Sequence, residues 1–282
     1  MQTGLVLEGG AMRGMFTAGV LDRMMDENIK FESIIGVSAG ALFGVNYLSN
    51  QKGRVIRYNK RFNSDKKYMG IGSLIKTGNI VNTEYAYDTV PKKYDIFDDD
   101  TFKVSGVPYF AGVTNIETGK AEYIRINSVF DQMDVLRASA SMPFVSKPVL
   151  LDGKYYLDGG VADSIPYKKM MELGVQKTVI ILTREAEYVK PPMKKTFAKI
   201  MYRKYPNFLK TLLSRYEDYN NCSDEIKQLE KEGRVFVIRP PEAITIAKLE
   251  RDPEKLQSVY DMGVKTASEI MPCLLAYLAS EV

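Results

Sequence analysis

The stretch Ser33-Ile-Ile-Gly36-Val37-Ser38-Ala39-Gly40-Ala-Leu-Phe-Gly-Val-Asn46 decides the fold. Its first half is a short apolar run with β-branched residues, which reads as a buried strand. Its second half, rich in Ala and Leu, reads as a helix that begins directly after Ser38. The N-terminus shows the same pattern. Gly4-Leu-Val-Leu7 runs into Glu8-Gly9-Gly10, and an amphipathic stretch with Met15, Ala18, Val20, Leu21 and Met24 follows. Two strand-turn-helix units in succession imply a parallel sheet with helices on its faces.

Further strands extend the pattern. Tyr109 to Thr114 and Ala121 to Ile126 flank Glu117-Thr-Gly119-Lys120 and form a hairpin signal. Asp131 to Ser141 reads as a helix stopped by Pro143. Lys154 to Leu157 is a strand ending at Asp158-Gly159-Gly160, and Gln176 to Thr183 is another buried strand. Residues 51 to 105 are polar, basic and Tyr-rich, and are expected as short helices and loops capping the sheet. The composition shifts after Val189, which places a domain boundary between 1–189 and a 190–282 extension. Arg234 to Arg239 is a late strand, and the helix after Pro253 has one apolar face, so the extension is expected to complete the same sheet.

Composition narrows the chemistry. The chain has 282 residues with 45% hydrophobic and 26% charged content, enough to bury a core. A net charge of +4 suits an anionic surface but is too small to indicate a nucleic-acid binder. The two cysteines cannot make a disulfide framework, and no leader peptide precedes the first apolar run, so the expected compartment is the reducing cytosol. No apolar run is long enough to span a bilayer, which limits any membrane contact to the periphery. Above all, the sequence contains no histidine. Ser-His-Asp triads, Cys-His pairs and His-bearing zinc sites are therefore excluded.

Gly36-Val-Ser38-Ala-Gly40 fits a nucleophile elbow, a serine on a sharp strand-to-helix turn whose flanking glycines permit a strained backbone. The competing reading is a serine that merely caps the helix. Glu8 to Gly14 is a glycine turn at a helix start, where free amides favour an anion. A dinucleotide fingerprint fails there, since Ala11 stands where its second glycine belongs. An oxyanion hole needs only backbone donors and fits. Arg13 is read either as a contact for an anionic substrate or as half of a salt bridge within the loop. A serine nucleophile needs a proton acceptor, and Asp158, at a strand end, is the economical candidate in a chain without imidazole.

These elements, with Ala138-Ser-Ala-Ser-Met-Pro143 and Pro166, strongly resemble the patatin-like phospholipase family from about Gly4 to Thr183. The resemblance implies a three-layer α/β/α sandwich with a mainly parallel sheet, and calcium-independent hydrolysis of lipid acyl esters. It implies Ser38 as nucleophile, Asp158 as its base, and the amides of Gly9, Gly10 and Ala11 as oxyanion donors. The elbow geometry adds the amide of Ala39. Family members usually have three consecutive glycines in the loop, and Ala11 departs from that. The expected substrate is a phospholipid or lysophospholipid ester. The same dyad also serves a thioesterase or acyltransferase, and Ala11 with the basic tail leaves room for a weakly active lipid-binding relative.

The segment from Lys190 to Arg215 carries many cations and no acid, with aromatics interleaved. It reads either as a membrane-facing helix pair on an anionic surface or as an amphipathic helix packed on the sheet with solvated lysines. Asp98-Asp99-Asp100 reads as a helix start rather than a metal site. No metal and no cofactor is assigned.

Overall fold

The computed structural model describes residues 2–280. Its centre is an eight-stranded sheet. The strands are β1 (Thr3–Leu7), β2 (Ser33–Val37), β3 (Tyr109–Asn115), β4 (Ala121–Ile126), β5 (Val149–Leu151), β6 (Lys154–Asp158), β7 (Lys177–Ile181) and β8 (Val235–Ile238). β3, β2, β1, β7 and β8 run parallel in that spatial order, while β4, β5 and β6 form the antiparallel end.

Side-chain alternation along the parallel strands builds two cores. Leu5, Leu7, Ile34, Val179 and Ile181 face one way, against α1 (Met15–Asp26), α2 (Ala39–Leu48), α3 (Arg54–Phe62) and α10 (Pro253–Ala279). Val6, Ile35 and Ile180 face the other way, against α7 (Tyr167–Glu172) and α9 (Pro206–Lys231). Both faces of a parallel sheet must be covered, which is why its strands are apolar throughout rather than alternating. The result is the three-layer α/β/α sandwich.

The region expected as a cap holds α3, α4 (Ile71–Thr77), a π-helical turn (Tyr85–Tyr94) and α5 (Asp99–Val104), all outside the sheet. The acidic triplet is split by α5. Asp98 caps the helix by accepting from the Thr101 amide at 2.9 Å, Asp99 turns inward to the Val129 amide at 2.6 Å, and Asp100 is exposed. α6 (Met133–Ser139) is shorter than the helix expected from 131 to 141. Residues 152–153 make the turn of an unforeseen hairpin between β5 and β6. The basic segment forms α8 (Lys195–Met201) and the start of α9. Ala198, Tyr202, Phe208 and Leu212 pack inward over β6, so much of the segment is a helix pair laid on the sheet. Phe197, Ile200 and Met201 remain exposed. Among the described residues no helix is long and apolar enough to cross a membrane.

β3 explains how the two candidate catalytic residues meet. One of its edges is filled by β4, which pairs from Tyr109 to Thr114. The other edge is shared end to end. β2 occupies it as far as the pair Val37–Gly112, and β6 takes over at the pair Asp158–Val113. Because β6 is antiparallel, its C-terminus runs head-on into the C-terminus of β2. Ser38 and Asp158, 120 positions apart in the chain, therefore become neighbours along one strand edge.

Candidate functional site

Ser38 sits at the turn between β2 and α2 with φ 55 and ψ −122. A non-glycine residue held there stores about 1–3 kcal/mol of strain. The strain is sustained by close packing on either side. A Cβ at Gly36 would lie 2.7 Å from the Ala41 backbone, and one at Gly40 would lie 2.5 Å from the Leu7 carbonyl oxygen, so neither position accepts a side chain. The Ser38 hydroxyl makes no capping bond to α2. It donates to Asp158 Oδ2 at 2.7 Å, which removes the helix-cap reading.

Asp158 is held as firmly. Its Oδ1 accepts the Gly160 amide at 2.8 Å. Gly159 presses against β3 so closely that a Cβ there would lie 2.1 Å from the Gly112 carbonyl oxygen. Burial raises the Asp158 carboxyl above its ordinary value of 3.8; the Ser38 hydroxyl, Arg215, the Gly160 amide and Lys248 all oppose that rise. Asp158 stands level with the carboxyl ends of the parallel strands, although its own strand, β6, arrives there from the opposite direction.

The glycine loop lies directly on the elbow. A Cβ at Gly9 would be 3.0 Å from that of Ser38. The Gly9 amide, expected as an oxyanion donor, is already committed to the Ser164 carbonyl at 3.4 Å. Among the described residues nothing accepts from the amides of Gly10, Ala11 or Ala39, which are first-turn donors of their helices. Ala11 does adopt the left-handed conformation, with φ 49, at a cost of roughly 1 kcal/mol, and its methyl joins the wall of the adjoining cleft. Among the described residues Arg13 has no carboxylate within 4.0 Å, so the salt bridge within the loop is not formed.

Ser38 opens into a cleft whose walls are mainly apolar, including Leu42, Val45, Val90, Leu136, Met142 and Leu249. Tyr58, Tyr68 and Tyr87, from the cap, line it as well. Leu249 comes from residues 239–252, a strap that crosses back to the site. The strap is pinned where the Met12 amide donates to the Lys248 carbonyl at 3.2 Å.

Three supporting residues were not singled out by sequence reasoning. Ser139 accepts the Ser38 amide at 2.9 Å and donates to the Gly112 carbonyl at 2.7 Å, tying the elbow to β3. Thr114 donates to the Asp158 carbonyl at 2.8 Å. Glu8 accepts from the Thr183 amide at 2.5 Å and from the Tyr219 hydroxyl at 2.8 Å. Ser139 lies inside the motif Ala138 to Pro143, which was the available signal. Ser139→Ala strands a buried donor and a buried acceptor and is expected to cost about 1–3 kcal/mol, measured by chemical denaturation.

Known proteins resemble this chain to differing extents. A family model described as patatin-like phospholipase matches residues 5–171, and one described as a domain of unknown function (DUF6363) matches residues 205–279. The uncharacterized protein YjjU of Escherichia coli is 27% identical over 92% of this chain and 74% of its own length. Lysophospholipase NTE1 of Cryptococcus neoformans is 25% identical over 64% of this chain, which spans only 11% of that protein. A probable lipid hydrolase, 463L, of Invertebrate iridescent virus 6 is 26% identical over 57% of this chain and 61% of its own length. With the first of these family models covering more than half of its residues, the chain belongs to the patatin-like phospholipase family.

Proposed function

We propose that the protein is a serine hydrolase that cleaves fatty acyl esters of phospholipids or lysophospholipids through a Ser38–Asp158 dyad. The observation that carries this reading is the 2.7 Å hydrogen bond from the Ser38 hydroxyl to the Asp158 carboxylate at the edge of an apolar cleft. Family membership and the names of two relatives, a lysophospholipase and a probable lipid hydrolase, support the substrate class.

In the first step Ser38 Oγ attacks the ester carbonyl and its proton passes to Asp158. The developing oxyanion meets the unpaired amides of Gly10, Ala11 and Ala39. Protonated Asp158 then gives its proton to the leaving alcohol, and an acyl-enzyme remains. Water, deprotonated by Asp158, attacks that ester, and Asp158 returns the proton to Ser38 Oγ as the C–O bond breaks and the fatty acid leaves. An ordinary aspartate is too weak a base for this step. Burial supplies the correction by raising the affinity of Asp158 for a proton. The acyl chain lies in the cleft, beneath the cap. We also propose that exposed Phe197, Ile200 and Met201 on α8, with Lys194, Lys195 and Lys199 beside them, touch the surface of an anionic membrane.

The test is release of fatty acid from a lysophospholipid by purified protein with a chelator present. Turnover is expected, and none with any lysophospholipid, phospholipid or thioester substrate contradicts the reading. Activity should also depend on pH in a stated direction. The carboxylate is the active form, so kcat/KM falls as pH falls through the Asp158 pKa. Since burial raises that pKa, the midpoint of the acid limb is expected above 3.8, and a midpoint at or below it contradicts the assignment of the base.

A further inference from the structure

Five cations gather near the dyad and, among the described residues, none of them forms an ion pair. They come from four parts of the chain: Arg13 from the glycine loop, Arg184 and Lys190 from the segment after β7, Arg215 from α9, and Lys248 from the strap. Their proximity shows in a mutual repulsion that adds to burial in lowering the pKa values of Arg13, Lys190 and Lys248, and several contacts place the individual groups. Lys190 Nζ lies 4.0 Å from the ring centre of Tyr219, the residue that donates to Glu8. Arg184 lies 4.0 Å over Tyr188, whose ring is 5.9 Å from that of Tyr219. Arg215 Nη2 is 3.2 Å from the point where a Cβ of Gly160 would stand, beside the amide that holds Asp158. Lys248 is bonded through its carbonyl to Met12, next to Arg13.

Glu8 and Asp158 attract members of the group, but neither pairs with one. Among the described residues no carboxylate comes within 4.0 Å of any of the five, and Glu185, although adjacent to Arg184, is no exception. Both oxygens of Glu8 are occupied, one by Thr183 and one by Tyr219. Both oxygens of Asp158 are occupied by Ser38 and the Gly160 amide. The Nε atoms of Arg13 and Arg215 are buried and have no acceptor among the described residues. A buried guanidinium donor left unpaired is costly and calls for a partner. Burial, followed by the neighbouring Arg215, pushes the Lys190 ammonium down to about 7, and Glu8 only partly offsets this.

The place of the cluster shows which anion it suits. Met12 and Leu249 line the apolar cleft, while their chain neighbours Arg13 and Lys248 belong to the cationic group. Arg215 and Lys248 lie near enough to act on the Asp158 carboxyl that the reacting hydroxyl bonds, so the cations approach the dyad from outside the lining of the apolar cleft. Building on the hydrolase reading above, we propose that Arg13, Arg184, Lys190, Arg215 and Lys248 form a subsite for a phosphoryl anion, occupied by the headgroup phosphate of the lipid being cleaved. Guanidinium groups suit this because they offer paired donors to phosphate oxygens.

The experiment compares a short-chain lysophosphatidic acid with the matching monoacylglycerol, both below their micellar concentrations. Each is assayed in the wild type and in the double variant Arg184→Gln/Lys190→Gln. The readout is the ratio of the two kcat/KM values within one protein, so a general loss from misfolding cancels. The ratio is expected to favour the phosphate-bearing ester at least tenfold in the wild type and to fall at least tenfold in the variant. An equal ratio in both proteins overturns the subsite. In a second arm, the Ser38→Ala protein is melted with inorganic phosphate or with glycerol 3-phosphate. Glycerol 3-phosphate is expected to raise Tm more, and Arg184→Gln/Lys190→Gln in that background to remove the rise. A rise with inorganic phosphate and none with glycerol 3-phosphate assigns the site to free phosphate and overturns the headgroup assignment. If the phosphate-dependent Tm rise is present but neither ester is turned over, the hydrolase reading fails and the anion site stands.

Discussion

Ser38→Ala is expected to reduce acyl-ester turnover by about 10⁴-fold or more, leaving only what oxyanion donors and binding achieve with water as nucleophile. The size of the loss follows from geometry. The Ser38 hydroxyl lies against the cleft and bonds directly to the carboxylate, and among the described residues no other serine bonds to Asp158 through its side chain. The change removes one oxygen from the turn. It also removes the hydrogen bond that opposes the rise of the Asp158 pKa, so a normal fold is expected together with a more easily protonated carboxyl. Initial rates on a nitrophenyl acyl ester, with circular dichroism as the folding control, measure the effect.

Asp158→Asn is expected to cost about 10³-fold or more in kcat, within the range for losing a positioned base. The amide is nearly isosteric, yet it cannot serve both partners of the carboxylate. If its oxygen stays with the Gly160 amide, its NH2 group faces Ser38 Oγ as a donor, and the serine proton has no acceptor. Stability should move the other way. A carboxyl whose folded-state pKa is raised stabilises the fold below its unfolded value, and that contribution is lost as pH rises through the folded value. At neutral pH the ionised, buried Asp158 therefore weighs against folding. Asp158→Asn is expected to melt at or above the wild-type temperature, and a large fall in Tm contradicts the view of Asp158 as a strained functional group.

Local pattern made the elbow legible. A strand, Ser38 between glycines and a helix occupy one continuous stretch, and the strained φ of Ser38 is what such a stretch requires. Asp158 was legible by elimination in a chain with no histidine. Its route to Ser38 was not, because the head-on meeting of β2 and β6 depends on an antiparallel pairing with β3 across more than 40 residues. The commitment of the Gly9 amide to Ser164 depends likewise on a contact between distant segments. The strap carrying Lys248 and Leu249 has neither periodicity nor motif, so nothing in its composition placed it beside the glycine loop. The basic segment allowed either a membrane-facing helix pair or an amphipathic helix packed on the sheet, and the inward turn of Arg215 toward Asp158 required the packing of α9 to be seen.

The most direct test of the dyad is chemical trapping. Intact protein is treated with a fluorophosphonate at neutral pH, digested and analysed by mass spectrometry. The account predicts a single adduct on Ser38 that forms rapidly in the wild type and at least about a hundredfold more slowly in Asp158→Asn, because the attacking hydroxyl loses its base. An adduct on any other residue, or labelling of Ser38 at the same rate with Asp158 replaced, contradicts it.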